Sequence, residues 1–500
     1  MQASVEAAVS DGEMFDKEIT GFSIDSRSVQ TGELFFALSP EDYARHCFTA
    51  TSFGDAHRFI PQALADGALA VVARRSRVAG NHELDALRGQ LLLVDDVIEA
   101  LQMLAHEVLR AWGRPVISIT GSAGKTTTKD LTAHVFAHAN WRVLKSRKNF
   151  NNELGVPLSI LQMETAGAKP DDYDVAVLEM GMSMPKELQR LCQIAPPDVG
   201  VELLIAPVHM EFFGTIERIA AAKAELIEGL KPDGTAVLNA DDELVAAMRA
   251  KHRGRVITFG IEQRADVTAT NIESAQLGLS RFRLLTPHGE ADAVLQMPGQ
   301  HNLMNALAAA AVATIFDITP EEIARALATA TPSEMRGEVL RFAAGFTVVD
   351  DSYNSNPRAL LSMAQSVTSV GHGGSNSATG GAATANASAP RRIIIVAGEM
   401  LELGPESAEM HREAGREIAL LKVDLLWGVR GHAHAIIEGA RAAGMGEAAT
   451  AFFETSEDAA LALADEVRAG DLVMVKGSRG VQTDKVVKLL RERYEVRDEG

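Results

Sequence analysis

The residues Thr120-Gly121-Ser122-Ala123-Gly124-Lys125-Thr126-Thr127 follow the run Val116-Ile117-Ser118-Ile119 and lead into a segment predicted as helix over 129–138. A strand, a glycine loop and a helix in that order make a phosphate cradle. Gly121 and Gly124 let the backbone N–H groups of the loop, through Ser122, Ala123 and Thr127, close around phosphate oxygens. Lys125 adds a point charge, and the Thr126 hydroxyl suits the Mg²⁺ that accompanies ATP. The spacing is shorter than the general GxxxxGK(S/T) form, because Ile119 stands five residues before Gly124. A plain glycine turn at a helix start is the structural alternative, and the Lys-Thr-Thr directly after the glycine favours the nucleotide.

Further candidates recur along the chain. Val175-Ala176-Val177-Leu178-Glu179 ends an apolar run on a carboxylate, where open α/β sheets bind ligands, which makes Glu179 a candidate Mg²⁺ ligand beside an ordinary acidic strand end. His209 lies in Pro207-Val208-His209-Met210-Glu211-Phe212-Phe213-Gly214, and Lys223 lies on the helical stretch 216–230. Taken singly, that histidine reads as packing or surface and that lysine as a solvated charge. Asn302 and Asn305 stand at i and i+3 at the head of an Ala-rich helix, suited to a base edge or, equally, to a capped helix packed through small residues. Three later clusters each follow a strand candidate: Asp350-Asp351-Ser352-Tyr353-Asn354-Ser355-Asn356-Pro357, Gly398-Glu399-Met400-Leu401-Glu402-Leu403-Gly404 and Lys476-Gly477-Ser478-Arg479-Gly480. They belong on one edge of a sheet.

The elements that must position these groups form an α/β chain of three domains. A length of 500 residues fits roughly three domains, and 46% hydrophobic content supports separate cores. Short apolar runs broken by glycine mark a small α/β unit over 1–113, ended by the helical stretch 97–111 and Gly113-Arg114-Pro115. Strand candidates at 116–119, 175–178 and 235–238 alternate with amphipathic helices over 114–332 and argue a mostly parallel sheet. Strand candidates at 347–349, 393–396 and 472–475 give a doubly wound, Rossmann-like unit over 333–500. Residues 371–390 are low-complexity Gly, Ser, Ala and Asn and are expected as a flexible loop. A net charge of -19 without a basic patch argues against a nucleic-acid partner. Two cysteines without metal or redox spacing, and no signal peptide or long apolar stretch, point to a soluble protein of a reducing cytoplasm with no membrane insertion.

Taken together, TGSAGKTT, NFNNELGVP, EMG, HMEFFG, AAAKAE, GQHNLMN, DDSYNSNP, GEMLELG and KGSRG, in this order, resemble the Mur ligases of peptidoglycan synthesis from Asp25-Ser26-Arg27 to Val487. Ser122-Ala123 stands where Thr-Asn is common, Ser355 where Ala is, and Glu399 where Asp is; the low-complexity stretch is an addition to the family pattern. The resemblance implies an N-terminal domain for the UDP part of a substrate, a central ATPase and a Rossmann-like C-terminal domain. It implies phosphorylation of a substrate carboxylate by ATP with Mg²⁺, then attack by an amine on the acyl phosphate. Lys125, Glu179, His209 and Lys223 would be catalytic, with Thr126, Glu179, His209 and a carbamylated Lys223 at the metal ions. Asn302 and Asn305 match an adenine-binding pair, and Arg336 with Asp350 or Asp351 match residues that reach ATP from the domain junction. Ser26 and Arg27 match uridine nucleotide contacts; Asn151 and Asn152, holders of the muramoyl peptide; Lys476, Ser478 and Arg479, contacts to the incoming acceptor or acyl phosphate. The motif set favours UDP-N-acetylmuramoyl-tripeptide and D-alanyl-D-alanine as substrates; a monomer is expected.

Three alternatives stay open at this point. A sister ligase adding the third amino acid shares most motifs, yet its Asp-Asn-Pro-Arg element is matched only by Asn356-Pro357-Arg358 at the start of the C-terminal domain. A folylpolyglutamate synthase would have no use for the Asp25-Ser26-Arg27 module. A non-catalytic nucleotide-binding protein would be expected to lack Lys125, Glu179 or His209, and all three are present.

Overall fold

A computed structural model describes residues 17–46, 48, 54–147, 150–208, 210–372 and 391–497. The strands fall into four sheets. The first holds β1 (Gly21–Ser23), β2 (Glu33–Ala37), β3 (Ala70–Arg74) and β4 (Leu91–Val94), parallel and in sequence order. The helix Val97–Trp112 then begins at Asp96, whose carboxylate accepts from the Glu99 N–H, and stops at Gly113, whose φ of 66° takes the left-handed conformation that glycine permits. Its buried stripe of Val97, Ile98, Leu101, Ala105 and Leu109 shares one core with Val156, Ile160 and Leu161 of the next domain. One apolar core is therefore continuous across residue 113.

The second sheet is wholly parallel. It is built from β5 (Val116–Thr120), β6 (Val143–Lys145), β7 (Val175–Glu179), β8 (Val199–Glu202), β9 (Thr235–Asn239) and β10 (Arg255–Phe259), in the order β10-β9-β8-β5-β7-β6. β5 lies between β7 and β8, where the strand order reverses, so its C-terminal end opens into the crevice that such sheets use for ligands. The helix Lys125–His138 covers one face, packed against the Ala-rich helix Gln300–Ile315, whose small side chains are almost all buried. The helix Ile216–Glu228 covers the other face.

A three-stranded antiparallel sheet of β11 (Thr268–Gln276), β12 (Leu279–Thr286) and β13 (Gly289–Leu295) adds to the mostly parallel plan expected for this domain. Its cause is plain in β12, where Phe282 and Leu284 are buried and Arg281 and Arg283 point outward. The last sheet has the order β14-β15-β19-β16-β17-β18, from Glu338–Arg341, Thr347–Asp351, Leu472–Lys476, Ile393–Gly398, Leu425–Val429 and Thr450–Phe453, with β14 alone antiparallel. The helix Pro357–Gly371 runs one residue into the stretch expected as loop, with His372 as its C-cap, so the low-complexity segment starts later than residue 371. Residues 373–390 lie outside the described residues. Among the described residues no helix is long and apolar enough to cross a membrane.

Candidate active site

The P-loop is shaped by close approach. A Cβ on Gly121 would stand 2.8 Å from Leu203 Cβ, and one on Gly124 would stand 2.3 Å from Asn305 Oδ1, with φ of 152° and 84° at the two glycines. The Ser122 N–H donates to the Leu204 carbonyl at 2.8 Å and its hydroxyl accepts from the Ala206 N–H at 2.9 Å, which ties the loop to the end of β8. Gly124 caps the helix Lys125–His138, so the helix begins at Lys125 and not at 129 as its sequence pattern predicts. The unpaired N–H groups of its first turn point into the loop. Lys125 is half-buried, and its Nζ donates back to the Gly121 carbonyl at 2.8 Å. Burial lowers the pKa of this amine, with Glu179 and Glu202 favouring its charge and Arg336 opposing it.

Glu179 ends β7 beside the P-loop. Thr126 Oγ1 donates to its Oε2 at 2.7 Å, and Asn151 Nδ2 donates to its Oε1 at 2.8 Å. Its own N–H donates to Ser146 Oγ at 3.0 Å. Both carboxylate oxygens are thus held, one against the threonine of the P-loop. A hydroxyl and a carboxylate brought together at the head of a phosphate loop are hard oxygen donors that suit a magnesium ion.

Beneath the sheet lies a second charged group. Lys223, on the helix Ile216–Glu228, is buried, and so is Glu202, the last residue of β8. Neither carboxylate oxygen of Glu202 has a hydrogen-bond partner among the described residues. Burial pushes the Glu202 carboxyl up and the Lys223 amine down, against the attraction between them, and Lys125 acts on both. Of the residues proposed at the metal ions, Thr126 and Glu179 meet; Lys223 lies in the field of Glu202, and His209 is outside the described residues.

The amide pair is buried behind the P-loop. Asn302 Nδ2 donates to the Pro298 carbonyl at 2.7 Å, Asn305 Nδ2 donates to Asn302 Oδ1 at 3.3 Å, and Thr128 Oγ1 donates to Asn305 Oδ1 at 3.3 Å. Across the boundary, Arg336 stacks on the Tyr353 ring at 3.9 Å. Asp350 and Asp351 separate in role. Asp350 is buried, accepts from the Ser352 N–H and hydroxyl, and has its carboxyl pushed up to about 6 by burial. Asp351 pairs with Lys476 Nζ, which also donates to the Asn354 carbonyl at 2.9 Å. The three C-terminal clusters meet at Ser478: its N–H donates to the Glu399 carbonyl, and its Oγ accepts from the Leu401 N–H and donates to the Ser355 carbonyl. Arg479 bonds Asp484 and the Met335 sulfur. The Met210 N–H donates to the Glu402 carbonyl at 3.2 Å, so the GEMLELG loop sits against the central domain.

Residues 119–313 match the Mur ligase middle domain, and residues 335–479 match the Mur ligase, glutamate ligase domain. The chain is 33% identical to the UDP-N-acetylmuramoyl-tripeptide--D-alanyl-D-alanine ligase of Bacillus subtilis over 95% of its own length and 93% of that protein. The chain belongs to the Mur ligase family. Among solved structures, it resembles MurF from Acinetobacter baumannii with a TM-score of 0.79 at 27% identity, over 95% of this chain and 94% of the other. It also resembles the MurF ligase from Thermotoga maritima in complex with ADP, with a TM-score of 0.76 at 27% identity, over 95% and 98%.

The substrate-side residues of this Mur ligase divide. Asn151 serves the centre through Glu179, whereas Asn152 turns its Oδ1 onto the backbone N–H groups of Leu154 and Gly155 and shapes the turn. Ser26 and Arg27 lie between β1 and β2, with exposed Arg27 paired to Asp25 at 2.7 Å. Glu202 bears no motif in the sequence, and its only signal there is a strand that ends on a carboxylate as β7 does. His301 likewise gains its meaning only in the fold: it lies next to Asn302 and feels the charges of Asp351 and Lys476, and desolvation pushes its imidazole down to about 4.

Proposed function

We propose that this Mur ligase joins D-alanyl-D-alanine to UDP-N-acetylmuramoyl-tripeptide, converting ATP to ADP and phosphate through an acyl phosphate on the tripeptide carboxylate. The observation that carries the reading is the chain Asn151–Glu179–Thr126 at the mouth of a P-loop, in a protein similar along nearly its whole length to ligases of that name. The helix N-terminus and Lys125 hold the β and γ phosphates, and Lys125 exchanges the Gly121 carbonyl for phosphate oxygens when ATP arrives. Thr126 and Glu179 would hold Mg²⁺, which when bound neutralises charge on the transferring phosphoryl group. Asn302 and Asn305 read the adenine, while Arg336 and Asp351 approach from the C-terminal side. Lys223, whose buried amine loses its proton more easily than a free lysine, is the group that carbamylation would turn into an anion for a further metal ion, and the family resemblance assigns His209 to the same ion. Ser26 and Arg27 take the UDP end of the substrate, and Lys476, Ser478 and Arg479 take the carboxylate of the acceptor dipeptide. The protein works in the cytoplasm as a monomer.

Phosphate release from ATP, measured with UDP-muramoyl tripeptide and a panel of acceptors, tests the proposal. D-Ala-D-Ala is expected to outperform free L-Lys and meso-diaminopimelate by orders of magnitude. Efficient ligation of either single amino acid to a UDP-muramoyl dipeptide would transfer the chain to the sister activity, and the absence of acceptor-dependent phosphate release would remove ligation altogether.

A further inference from the structure

A buried ion cluster lies between the N-terminal and central domains and contains none of the residues to which the proposed chemistry is assigned. His46 caps the helix Pro40–Arg45 of the N-terminal domain. Its Nδ1 is 2.7 Å from Glu153 Oε2 in the central domain, and its Nε2 is 3.3 Å from Asp96 Oδ1 in its own domain. Two ring nitrogens each facing a carboxylate oxygen must both donate, so the ring is an imidazolium. Burial opposes that charge, but the bonds to Asp96 and Glu153 outweigh it and the pKa rises to about 9.

Glu153 is 3% exposed and fully engaged. Arg190 Nη1 donates to its Oε1 at 3.0 Å, and Gln102 Nε2, from the helix Val97–Trp112, donates to its backbone carbonyl at 3.1 Å. The N-terminal domain therefore grips Glu153 from two elements. The grip lands two residues from Asn151. The turn between them is stiffened by the Asn152 side chain on the Gly155 N–H at 2.8 Å, and the Asn151 carbonyl accepts from the Gly181 N–H at 2.8 Å. Asn151 in turn holds Glu179 against the P-loop. One end of a short, rigid turn is clamped by the N-terminal domain and the other end orients the carboxylate at the phosphate site.

We propose that His46 and Glu153 are positioning residues, which lock the N-terminal domain onto the turn bearing Asn151 and so fix Glu179 for its cation. The idea rests on the assignment of Glu179 as a metal ligand. It goes beyond that assignment by making the placing of the N-terminal domain part of the metal site. A structural salt bridge with no such role would contribute to stability and leave cation affinity unchanged.

Mn²⁺ affinity in the presence of a non-hydrolysable ATP analogue, read by electron paramagnetic resonance on the full-length protein, separates the two without requiring turnover. Glu153→Gln is expected to weaken Mn²⁺ binding by roughly tenfold, the range seen when groups that orient metal ligands are lost, and His46→Gln by somewhat less. Because a single substitution strands a buried charge, the neutral pair His46→Gln with Glu153→Gln is the variant that retains the fold. Its affinity should fall to that of Glu153→Gln. Adding Asn151→Ala should then weaken binding far less than it does in the wild type, as expected for groups acting in series. Wild-type Mn²⁺ affinity in the folded neutral pair, or full additivity with Asn151→Ala, would overturn the proposal. If Glu179→Gln itself leaves Mn²⁺ affinity intact, the metal assignment fails first, and the proposal with it.

Discussion

The two junctions of this chain are built on different physics. Between the N-terminal and central domains, one apolar core runs continuously from Leu101 and Leu109 to Val156 and Ile160, and the buried cluster of His46, Asp96, Glu153 and Arg190 sits beside it. Between the central and C-terminal domains the joins among the described residues are mostly polar, among them Ser333 Oγ to Asp130 Oδ2 at 2.8 Å, His301 Nδ1 and Ser362 Oγ at 3.2 Å, the Met210 N–H to the Glu402 carbonyl, and Arg358 near Asp242 at 3.6 Å, with Leu277 of the central domain reaching into the C-terminal core. An extensive shared core resists separation at every temperature at which the protein is folded, whereas a set of polar contacts around a small apolar contact at Leu277 opens at less cost. The linker supports the same division. Met335 and Gly337 both have positive φ, and residues Thr331, Pro332 and Ser333 line a cavity of about 470 Å³ against the P-loop helix. Domain motion is therefore expected at the second junction, with the first as its platform.

The largest effect is expected at the centre that both junctions serve. Lys125→Ala removes the amine that moves from the Gly121 carbonyl to the phosphates, and turnover should fall by about 10³-fold or more, since phosphoryl transfer relies on charge held in place. The N-terminal platform should not notice. Its circular dichroism and melting temperature should match the wild type closely, because the lost bond is to a backbone carbonyl at a half-buried site. Near-normal phosphate release in that variant would break the P-loop assignment.

A smaller and different effect is expected at the first junction when pH rises. The imidazolium of His46 is faced by Asp96 and Glu153, with Arg190, Arg45 and Arg74 on the outer sides of those carboxylates. Its folded pKa of about 9 lies above the ordinary histidine value of 6.5, so its contribution to stability is complete below about pH 6.5 and is lost as pH rises through about 9. On the order of 1–3 kcal/mol should disappear between pH 6 and pH 10. Denaturant unfolding at the two pH values measures it, with His46→Gln as the comparison. An equal alkaline loss in the variant would assign the titration to other groups.

The sequence carried the local half of this comparison and little of the rest. The P-loop, Glu179 and the helix Val97–Trp112 were legible because each is specified within one short stretch: an apolar strand, a glycine turn, a cap and a periodic stripe. The helix start was misplaced by four residues because Lys-Thr-Thr-Thr has no apolar periodicity, and the cap that starts the helix is the backbone of Gly124. Glu202 was passed over because its strand looks like any buried run until Lys223 is folded onto it. His46 and Glu153 carry no motif at all, since their meaning lies in a contact between residues far apart in the chain. The low-complexity loop was placed one residue too early because Gly371 still completes a helical turn.

The smallest expected effect lies at the second junction and bears most directly on how the enzyme works. Ser333 opens the linker, and its hydroxyl is bonded to Asp130 on the P-loop helix, next to Lys129 and Lys145, which also bind that carboxylate. Ser333→Ala removes one neutral-to-charged bond at a half-buried site. Asp130 keeps both lysines, so global stability should change by about 1 kcal/mol or less. The consequence should appear in domain motion instead. With Asn302 and Asn305 on one side of the linker and Asp351 and Lys476 on the other, the C-terminal domain must stay closed while the acyl phosphate exists, to keep water from it. Small-angle scattering should show the wild type contracting when a non-hydrolysable ATP analogue and UDP-muramoyl tripeptide bind together. The Ser333→Ala protein should be more open before binding and equally compact after it, because bound ligands supply contacts that outweigh one hydrogen bond. A radius of gyration that stays constant on saturation in the wild type would remove closure at this junction. A variant indistinguishable from the wild type before binding would move the hinge control from Ser333 to the positive-φ pair Met335 and Gly337.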